Sequence, residues 1–388
     1  MDNKKVLWVN PSFLDYRIPL YENINDKLNG NFHLIYSGRR VPLRCINKVE
    51  NAIGSNAINF QNEKSIKIGN NNLANKGIII PFTKGLYKLI GKIKPDIIIS
   101  EGFFQFTPIS LLYAIVHRIP FIIAYERTAH TERNCPLWRR LYRRFISLFT
   151  DGYIVNGKLT KEYLISQGCN PNGIFTGAMC ADSIGLSKSI SKLPIQESGL
   201  IKKEIIGATA SGLVYLYVGR IIKIKGVNYL LESWNKHIEK FPEDKLLIAG
   251  NGPLLEEYRK KYPNNSIIYT DYIDYSEIYK YYAISDVFII PTLEDNWSLV
   301  VPEAMACGLP IACSIYNGCY PELVKENFNG RTFDPLNNND IIETLAYFHK
   351  QDLVVMGKRS IEIEKEFSPE KTAHNIINAI NIISNNKR

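Results

Sequence analysis

Short apolar runs rich in Val, Ile, Tyr and Phe recur along this chain, each followed by a segment of helical periodicity, and this rhythm narrows the possible folds more than any other feature. In the first half the runs are VLWVN (6–10), FHLIYS (32–37), GIIIPF (77–82), DIIIS (96–100), FIIAYE (121–126) and GYIVN (152–156). In the second they are VYLYVG (214–219), KLLIAG (245–250), SIIYTDY (266–272), VFIIP (287–291) and PIACS (310–314). Apolar, β-rich runs alternating with helical patterns are the signature of parallel sheets built from βαβ units. A length of 388 residues leaves room for two such units, each long enough to bury a core. The reading is therefore α/β, with two Rossmann-like domains over residues 1–190 and 205–365. Ser183 to Gly212 mixes Ser, Lys and Gly with weak periodicity and reads as the linker. The Asn-rich patches at 70–72 and 337–339 read as surface loops. FSPEKTAHNIINAINIISNNK opens on Ser368-Pro369-Glu370 as a cap and continues with apolar residues at helical spacing, which predicts a helix over 366–388.

The richest stretch for chemistry runs from Pro291 to Pro321, PTLEDNWSLVVPEAMACGLPIACSIYNGCYP. Upstream, Ser285 to Pro291 reads as a short buried strand; downstream, Pro302 to Gly308 reads as a helix with Pro near its start and Gly at its end. Asp295 and Glu303 stand across the turn between them. In an open α/β sheet ligands bind at the carboxyl ends of strands, and a helix N-terminus there favours phosphate. The backbone amides of Ser298, Leu299 and Val300 are placed to face a diphosphate, while one acid holds sugar hydroxyls and the other ribose hydroxyls. Read alone, Asp295 is a loop acid and Glu303 an acid in a helix's first turn.

Two further turns share this chemistry. YVGRIIKIKGVNYLLESW (Tyr217 to Trp234) is a strand, a basic turn and an amphipathic helix, with Gly219, Arg220 and Lys225 on the turn. An Arg fork grips two phosphate oxygens and a Lys adds a compact charge, which suits stabilising a departing diphosphate. In LLIAGNGPLLEEY (Leu246 to Tyr258), Gly250, Gly252 and Pro253 end a strand and open a helix, and the glycines permit close backbone approach.

Together these runs resemble the family 4 glycosyltransferases, two-domain enzymes of the GT-B type. The resemblance covers about Gly219 to Asp340 and the terminal helix. Asp295 stands where the family usually has Glu, Asn296-Trp297-Ser298 replaces its common Gly-Phe-Gly, and Glu303 matches outright. The resemblance implies a retaining enzyme that takes a sugar from a nucleotide diphosphate sugar bound in a cleft between the domains, with no other cofactor. In that reading Arg220 and Lys225 stabilise the leaving diphosphate, Asp295 orients the sugar, and Glu303 binds ribose. Gly219, Gly250, Gly252, Pro253, Asn296, Trp297, Ser298, Leu299 and Val300 complete the donor site, and the terminal helix crosses back onto the first domain. The first domain departs from the family: the loop Asn10 to Arg17 has no Gly-Gly, and Glu126 occupies the place where many members carry His. Glu126 is a candidate base or sugar contact, and His130 and Glu101 are candidates on the acceptor side.

The net charge of +9 favours phosphates, nucleic acid or anionic lipid. Because the basic residues are spread along the chain, nucleic acid is not the expected partner. Seven cysteines form no C-x-x-C pair and read as reduced, mostly buried thiols. Six histidines include no H-x-x-x-H or H-E-x-x-H spacing, so no dedicated metal site is expected. No apolar run approaches the roughly 18 residues of a spanning helix, and the N-terminal apolar run is too short for a signal peptide, which predicts a cytoplasmic protein. PLWRRLYRRFISLF (Pro136 to Phe149) sets Arg139, Arg140, Arg143 and Arg144 on one side of a helix and large apolar groups on another. It reads either as an interfacial helix on anionic membrane or as a surface helix with its apolar face in the core. The first reading places the enzyme at the inner face of the cytoplasmic membrane, acting on a lipid-linked glycan in cell-surface polysaccharide assembly such as lipopolysaccharide or capsule. Two other activities fit the same residues: an epimerase-type reaction on nucleotide sugars, and a catalytically silent nucleotide-sugar-binding protein.

Overall fold

The computed structural model describes residues 4–68, 78–181, 183–207 and 211–386; the Asn-rich patch at 70–72 lies outside them. The chain divides into two compact units, one made of the residues up to Cys180 with the helix Pro369–Asn386, the other of Ala181–Ser368.

In the first unit the strands are β1 (Val6–Val9), β2 (Phe32–Tyr36), β3 (Ala57–Asn59), β4 (Lys64–Ile68), β5 (Ile78–Phe82), β6 (Ile97–Glu101), β7 (Phe121–Tyr125), β8 (Gly152–Val155) and β9 (Ile174–Phe175). Seven of them form a parallel sheet in the order β3-β2-β1-β6-β7-β8-β9, and β4 pairs antiparallel with β5. Val6 lies opposite Phe32 on one side and Ile97 on the other. Successive residues of a strand face opposite sides, so one four-residue run feeds two cores. Val6 and Trp8 join Tyr21, Ile24 and the terminal helix, while Leu7 and Val9 join Leu86, Ile90 and Phe106. The terminal helix inserts Ala373, Ile376, Ile380 and Ile383 into the first of these cores. Each buried Ile is worth about 1.5–3 kcal/mol of transfer free energy. Gly152 makes room for it, since a Cβ there would sit 2.4 Å from the Ile383 Cδ1.

The second unit carries β10 (Val214–Val218), β11 (Lys245–Ala249), β12 (Ile267–Tyr269), β13 (Val287–Ile290), β14 (Ile311–Ser314) and β15 (Gly330–Phe333) in the parallel order β12-β11-β10-β13-β14-β15. The stretch read as a linker is instead helical over Ser183–Ser191 and Ile195–Ile206, split at Pro194. These helices pack on Ile278–Ala283 and Val300–Ala306, and Ser183 donates a hydrogen bond to buried Glu364. Tertiary burial supplies here what weak local periodicity does not. The patch at 337–339 is not a loop but a helix start: the Asn337 side chain caps Asn338–Phe348 by accepting from the amides of Asn339 and Asp340. None of the seven cysteines is in a disulfide, and every one but Cys307 is buried.

Candidate active site

In the second unit the strand order reverses beside β10: the chain steps to β11 on one flank and returns to β13 on the other. At such a switch point the loops leaving two adjacent strands part in opposite directions, and a crevice opens at their carboxyl ends. Gly219 and Arg220 leave β10 at this point, and the loop Asp295–Ser298 leaves β13. The basic turn and the acid loop are tied by backbone: the Leu293 amide donates to the Ile224 carbonyl at 2.8 Å, and the buried Thr292 hydroxyl donates to the same oxygen at 3.1 Å.

Asp295 organises the loop. Its Oδ2 accepts from Lys225 Nζ and from the Ser298 hydroxyl, both at 2.5 Å, and its Oδ1 accepts from the Trp297 amide at 3.1 Å. Lys225 thus has a protein counter-ion, and the pair is mostly shielded from water. Arg220 differs. Its side chain is exposed, and among the described residues it makes no ion pair or hydrogen bond, so its five N–H donors are open to an anion. Trp297 turns inward and packs near Phe367, with ring centroids 5.9 Å apart, which makes it a loop anchor rather than an open contact surface.

Leu299 and Val300 open the helix Val300–Ala306, and Glu303 lies in its first turn. The Ser298 amide is already engaged by Asn317 Oδ1 at 3.3 Å, so of the three amides expected to face a diphosphate this one is turned to the protein. Glu303 accepts from Tyr282 at 3.3 Å and Tyr275 at 3.4 Å. Gly250, Gly252 and Pro253 form the turn after β11, which closes on the turn after β10. A Cβ at Gly250 would sit 2.1 Å from the Gly219 carbonyl oxygen, and one at Gly252 2.3 Å from that of Ile221. The glycines let two loops stack at the sheet's carboxyl edge. Two buried polar atoms in the acid loop region, Asn296 Oδ1 and Asn317 Nδ2, have no partner among the described residues. Asn317 is a residue that sequence reasoning passed over, although an Asn-Gly pair just after a strand marks a turn.

The first unit has its own switch point between β1 and β6, and it gathers acids there. Glu101 ends β6 and Glu126 follows β7. Arg17, also passed over as a site residue, bridges them: its guanidinium is 2.5 Å from Glu126 and 3.4 Å from Glu101, and it is only 3% exposed. Trp8 Nε1 donates to Glu101 at 3.1 Å. Burial, reinforced by Glu126, pushes the Glu101 carboxyl up to about 7 against the pull of Arg17. His130 lies in the turn after Thr128, and its carbonyl accepts from Arg133 at 2.5 Å.

The basic helix spans Leu137–Ser147 and contradicts one expectation. Arg143 does not join the other arginines on an outer face. It is buried, 2.7 Å from Glu132 and 3.0 Å from the Tyr163 hydroxyl, because a fully buried carboxylate requires a cation. With Arg143 and Ile146 inward, the apolar face is not in the core. Leu137, Trp138, Leu141, Phe145, Leu148 and Phe149 are 43–79% exposed. Arg140 and Arg144 are exposed, and Arg139 lies half-buried over the Phe104 and Trp138 rings. No described helix is long and apolar enough to cross a membrane.

Comparison with known proteins agrees with this geometry. Residues 201–367 match the family described as glycosyl transferases group 1. The sulfoquinovosyl transferase SQD2 of Arabidopsis thaliana is 26% identical over 296 residues, covering 72% of this chain and 55% of that protein. The UDP-Gal:alpha-D-GlcNAc-diphosphoundecaprenol alpha-1,3-galactosyltransferase of Escherichia coli is 26% identical over 263 residues, covering 63% and 64%. The chain thus spans less than two thirds of the length of either relative. Among solved structures, that of Anabaena Alr3699/HepE in complex with UDP superposes with a TM-score of 0.74 at 12% identity, over 97% of this chain and 100% of that one. Arg220, Lys225, Asp295 and Glu303 all fall within residues 201–367, the stretch that matches the glycosyl transferases group 1, and the two parallel-sheet units of the chain have the GT-B fold.

Proposed function

We propose that this protein transfers a sugar from a nucleoside diphosphate sugar to a hydroxyl of a glycan or lipid-linked glycan, with retention of configuration, in cell-surface polysaccharide assembly. The observation that carries the reading is Arg220: an exposed guanidinium with no protein partner among the described residues, at a strand-order reversal beside the Lys225–Asp295 pair. The arriving diphosphate takes Arg220 as its fork and draws on Lys225, whose charge is now shared with Asp295. Asp295, held rigid by three donors, orients the sugar hydroxyls, and Glu303, fixed by two tyrosine hydroxyls, takes the ribose. In the reaction the bond from the anomeric carbon to the phosphate oxygen breaks and a bond to the acceptor oxygen forms. The acceptor proton leaves either with the departing phosphate oxygen or through a carboxylate. We assign the first unit's strand-end acids to the acceptor. Of the two, Glu126 is held by Arg17, and Glu101, which exchanges its proton near neutrality, is assigned the role of base. The UDP held by the Anabaena structure and the UDP-sugar and diphosphoundecaprenol in the Escherichia coli relative's name support the donor and acceptor classes.

The helix Leu137–Ser147 supports a peripheral position on the inner face of the cytoplasmic membrane. Its large apolar groups point to water beside exposed Arg140 and Arg144, and the preceding helix in the chain, Thr107–His117, also exposes Leu112, Ile115 and Val116. A basic helix with outward apolar side chains gains by lying in an anionic lipid interface.

The test is calorimetric titration of the wild type and Arg220→Ala with UDP, GDP and ADP, followed by transfer assays with the matching sugar nucleotides. One nucleotide should bind, and Arg220→Ala should weaken it about 10- to 100-fold, the worth of a charge-assisted contact. A folded protein that binds none of them refutes the donor site; binding with no transfer to any acceptor points to the silent binding protein.

A further inference from the structure

A cluster outside the proposed active site has the composition of a metal centre. His237 lies in the last turn of the helix Val227–Lys240, Asp244 immediately precedes β11, and His349 immediately follows the helix Asn338–Phe348. Asp244 Oδ2 is 2.8 Å from Nε2 of both histidines. The three candidate ligand atoms all lie within 4.8 Å of one another. His237 and Asp244 are fully buried, while the His349 side chain keeps 22% of its surface open. The other carboxylate oxygen, Oδ1, accepts from the Leu213 amide at 2.8 Å, which leaves Oδ2 to the imidazoles. Phe241 stacks on both rings, at 4.9 Å from His237 and 3.8 Å from His349, and Tyr215 and Trp234 pack against His237.

We propose that His237, Asp244 and His349 bind one divalent transition-metal ion, zinc by preference, as a structural staple of the second unit. Two imidazole nitrogens and one carboxylate oxygen are a borderline ligand set that suits zinc or cobalt(II) over magnesium or calcium. An ion about 2.1 Å from each atom in tetrahedral geometry separates the ligands by roughly 3.4 Å. The 2.8 Å contacts therefore open by about 0.6 Å on binding, a shift within reach of carboxylate and ring rotation. The open side of His349 gives the ion its entry and a water its coordination position. The place in the fold assigns the role: Asp244 stands at the amino end of β11, whereas Gly250 and Gly252 stand beyond its carboxyl end. The metal would pin the ends of two helices to the start of a central strand and would take no part in sugar transfer.

The experiment uses the untagged full chain after chelator treatment and dialysis. Cobalt(II) is titrated in and its visible absorption followed, zinc is then added to displace it, and melting is recorded with and without zinc. One ion per chain, with imidazole-ligated cobalt bands, displacement by zinc and a higher melting temperature, is the expected result. His349→Ala, at the open edge, and Asp244→Asn, which keeps the Leu213 contact, should each weaken binding about tenfold or more. UDP titration should be unchanged in both, so the outcome is independent of the glycosyl-transfer reading. No bound cobalt or zinc in the folded wild type, or undiminished binding in both variants, overturns the proposal and leaves a hydrogen-bonded His-Asp-His clamp.

Discussion

Arg17→Met separates an ion pair that holds the first unit together from one that is ornamental. Met matches the length of the arginine stem but leaves Glu101 and Glu126 without the buried cation that lies 3.4 Å and 2.5 Å from them. Removing one partner of a buried pair costs about 3–5 kcal/mol when the other stays charged. Here the two carboxylates retain 20% and 31% exposure, so the lower end, about 3 kcal/mol at pH 8, is expected. The loss should depend on pH. In the wild type Glu101 gives up its proton near pH 7. Without Arg17 to favour the anion, the variant keeps that proton to higher pH, while the unfolded chain has lost it in both proteins. Above pH 7 the variant's native state then holds one proton more than its unfolded state, and its stability falls by about 1.4 kcal/mol per pH unit, while the wild-type group, half-protonated at pH 7, loses only about 0.4 kcal/mol by pH 8. The destabilisation should therefore be about 1 kcal/mol larger at pH 8 than at pH 7, and no larger at pH 6 than at pH 7. Because a two-unit chain does not unfold in one step, the assay is native-state hydrogen exchange at the amides of β1 and β6, which report the first unit. A destabilisation that is the same at all three values, or that grows toward acid, would refute the reasoning.

Other substitutions probe other parts of the argument. Gly250→Ala should disrupt the second unit, since its Cβ would lie 2.1 Å from the Gly219 carbonyl oxygen on a backbone at φ +146°; a loss of several kcal/mol in denaturant titration is expected, and wild-type stability would count against the stacked-turn geometry. Asp295→Asn keeps an acceptor for the Trp297 amide but removes the charge that holds Lys225, so UDP affinity should stay within about threefold while transfer is lost; unchanged turnover would remove Asp295 from the sugar site. Leu141→Glu with Phe145→Glu should abolish sedimentation with anionic vesicles and leave transfer to a water-soluble acceptor intact, and persistent vesicle binding would reassign the membrane face.

The residues show why some of this was legible in the chain and some was not. VLWV, DIIIS and VFIIP announced central parallel strands because such strands are apolar along their whole length. The edge strands β3, β9 and β15 passed unmarked: they are two to four residues long, and each pairs on one side only, so no apolar run is demanded of them. Arg220, Lys225, Asp295 and Glu303 could be picked out because strand-end turns carry a local signature of Gly, charge and a following helix. The amphipathic pattern of Leu137–Ser147 announced two faces but could not say which one meets the core. That depended on Glu132, a buried acid outside the helix that draws Arg143 inward.

By itself the sequence determined the two α/β units, the terminal helix and the strand-end turns that carry Arg220, Lys225, Asp295 and Glu303, because each follows from burial periodicity or from a turn within a few residues of a strand; the return of that helix to the first unit was implied by the family resemblance and is a matter of tertiary packing. Only the tertiary structure decided the contacts between distant positions. Arg17 reaches Glu101 across 84 residues and Glu126 across 109, Lys225 reaches Asp295 across 70, and His349 reaches Asp244 across 105. Charges placed so far apart have no periodicity to betray them. They meet because the parallel strand order brings strand ends together, and a buried charge without its partner costs too much for any other arrangement to compete.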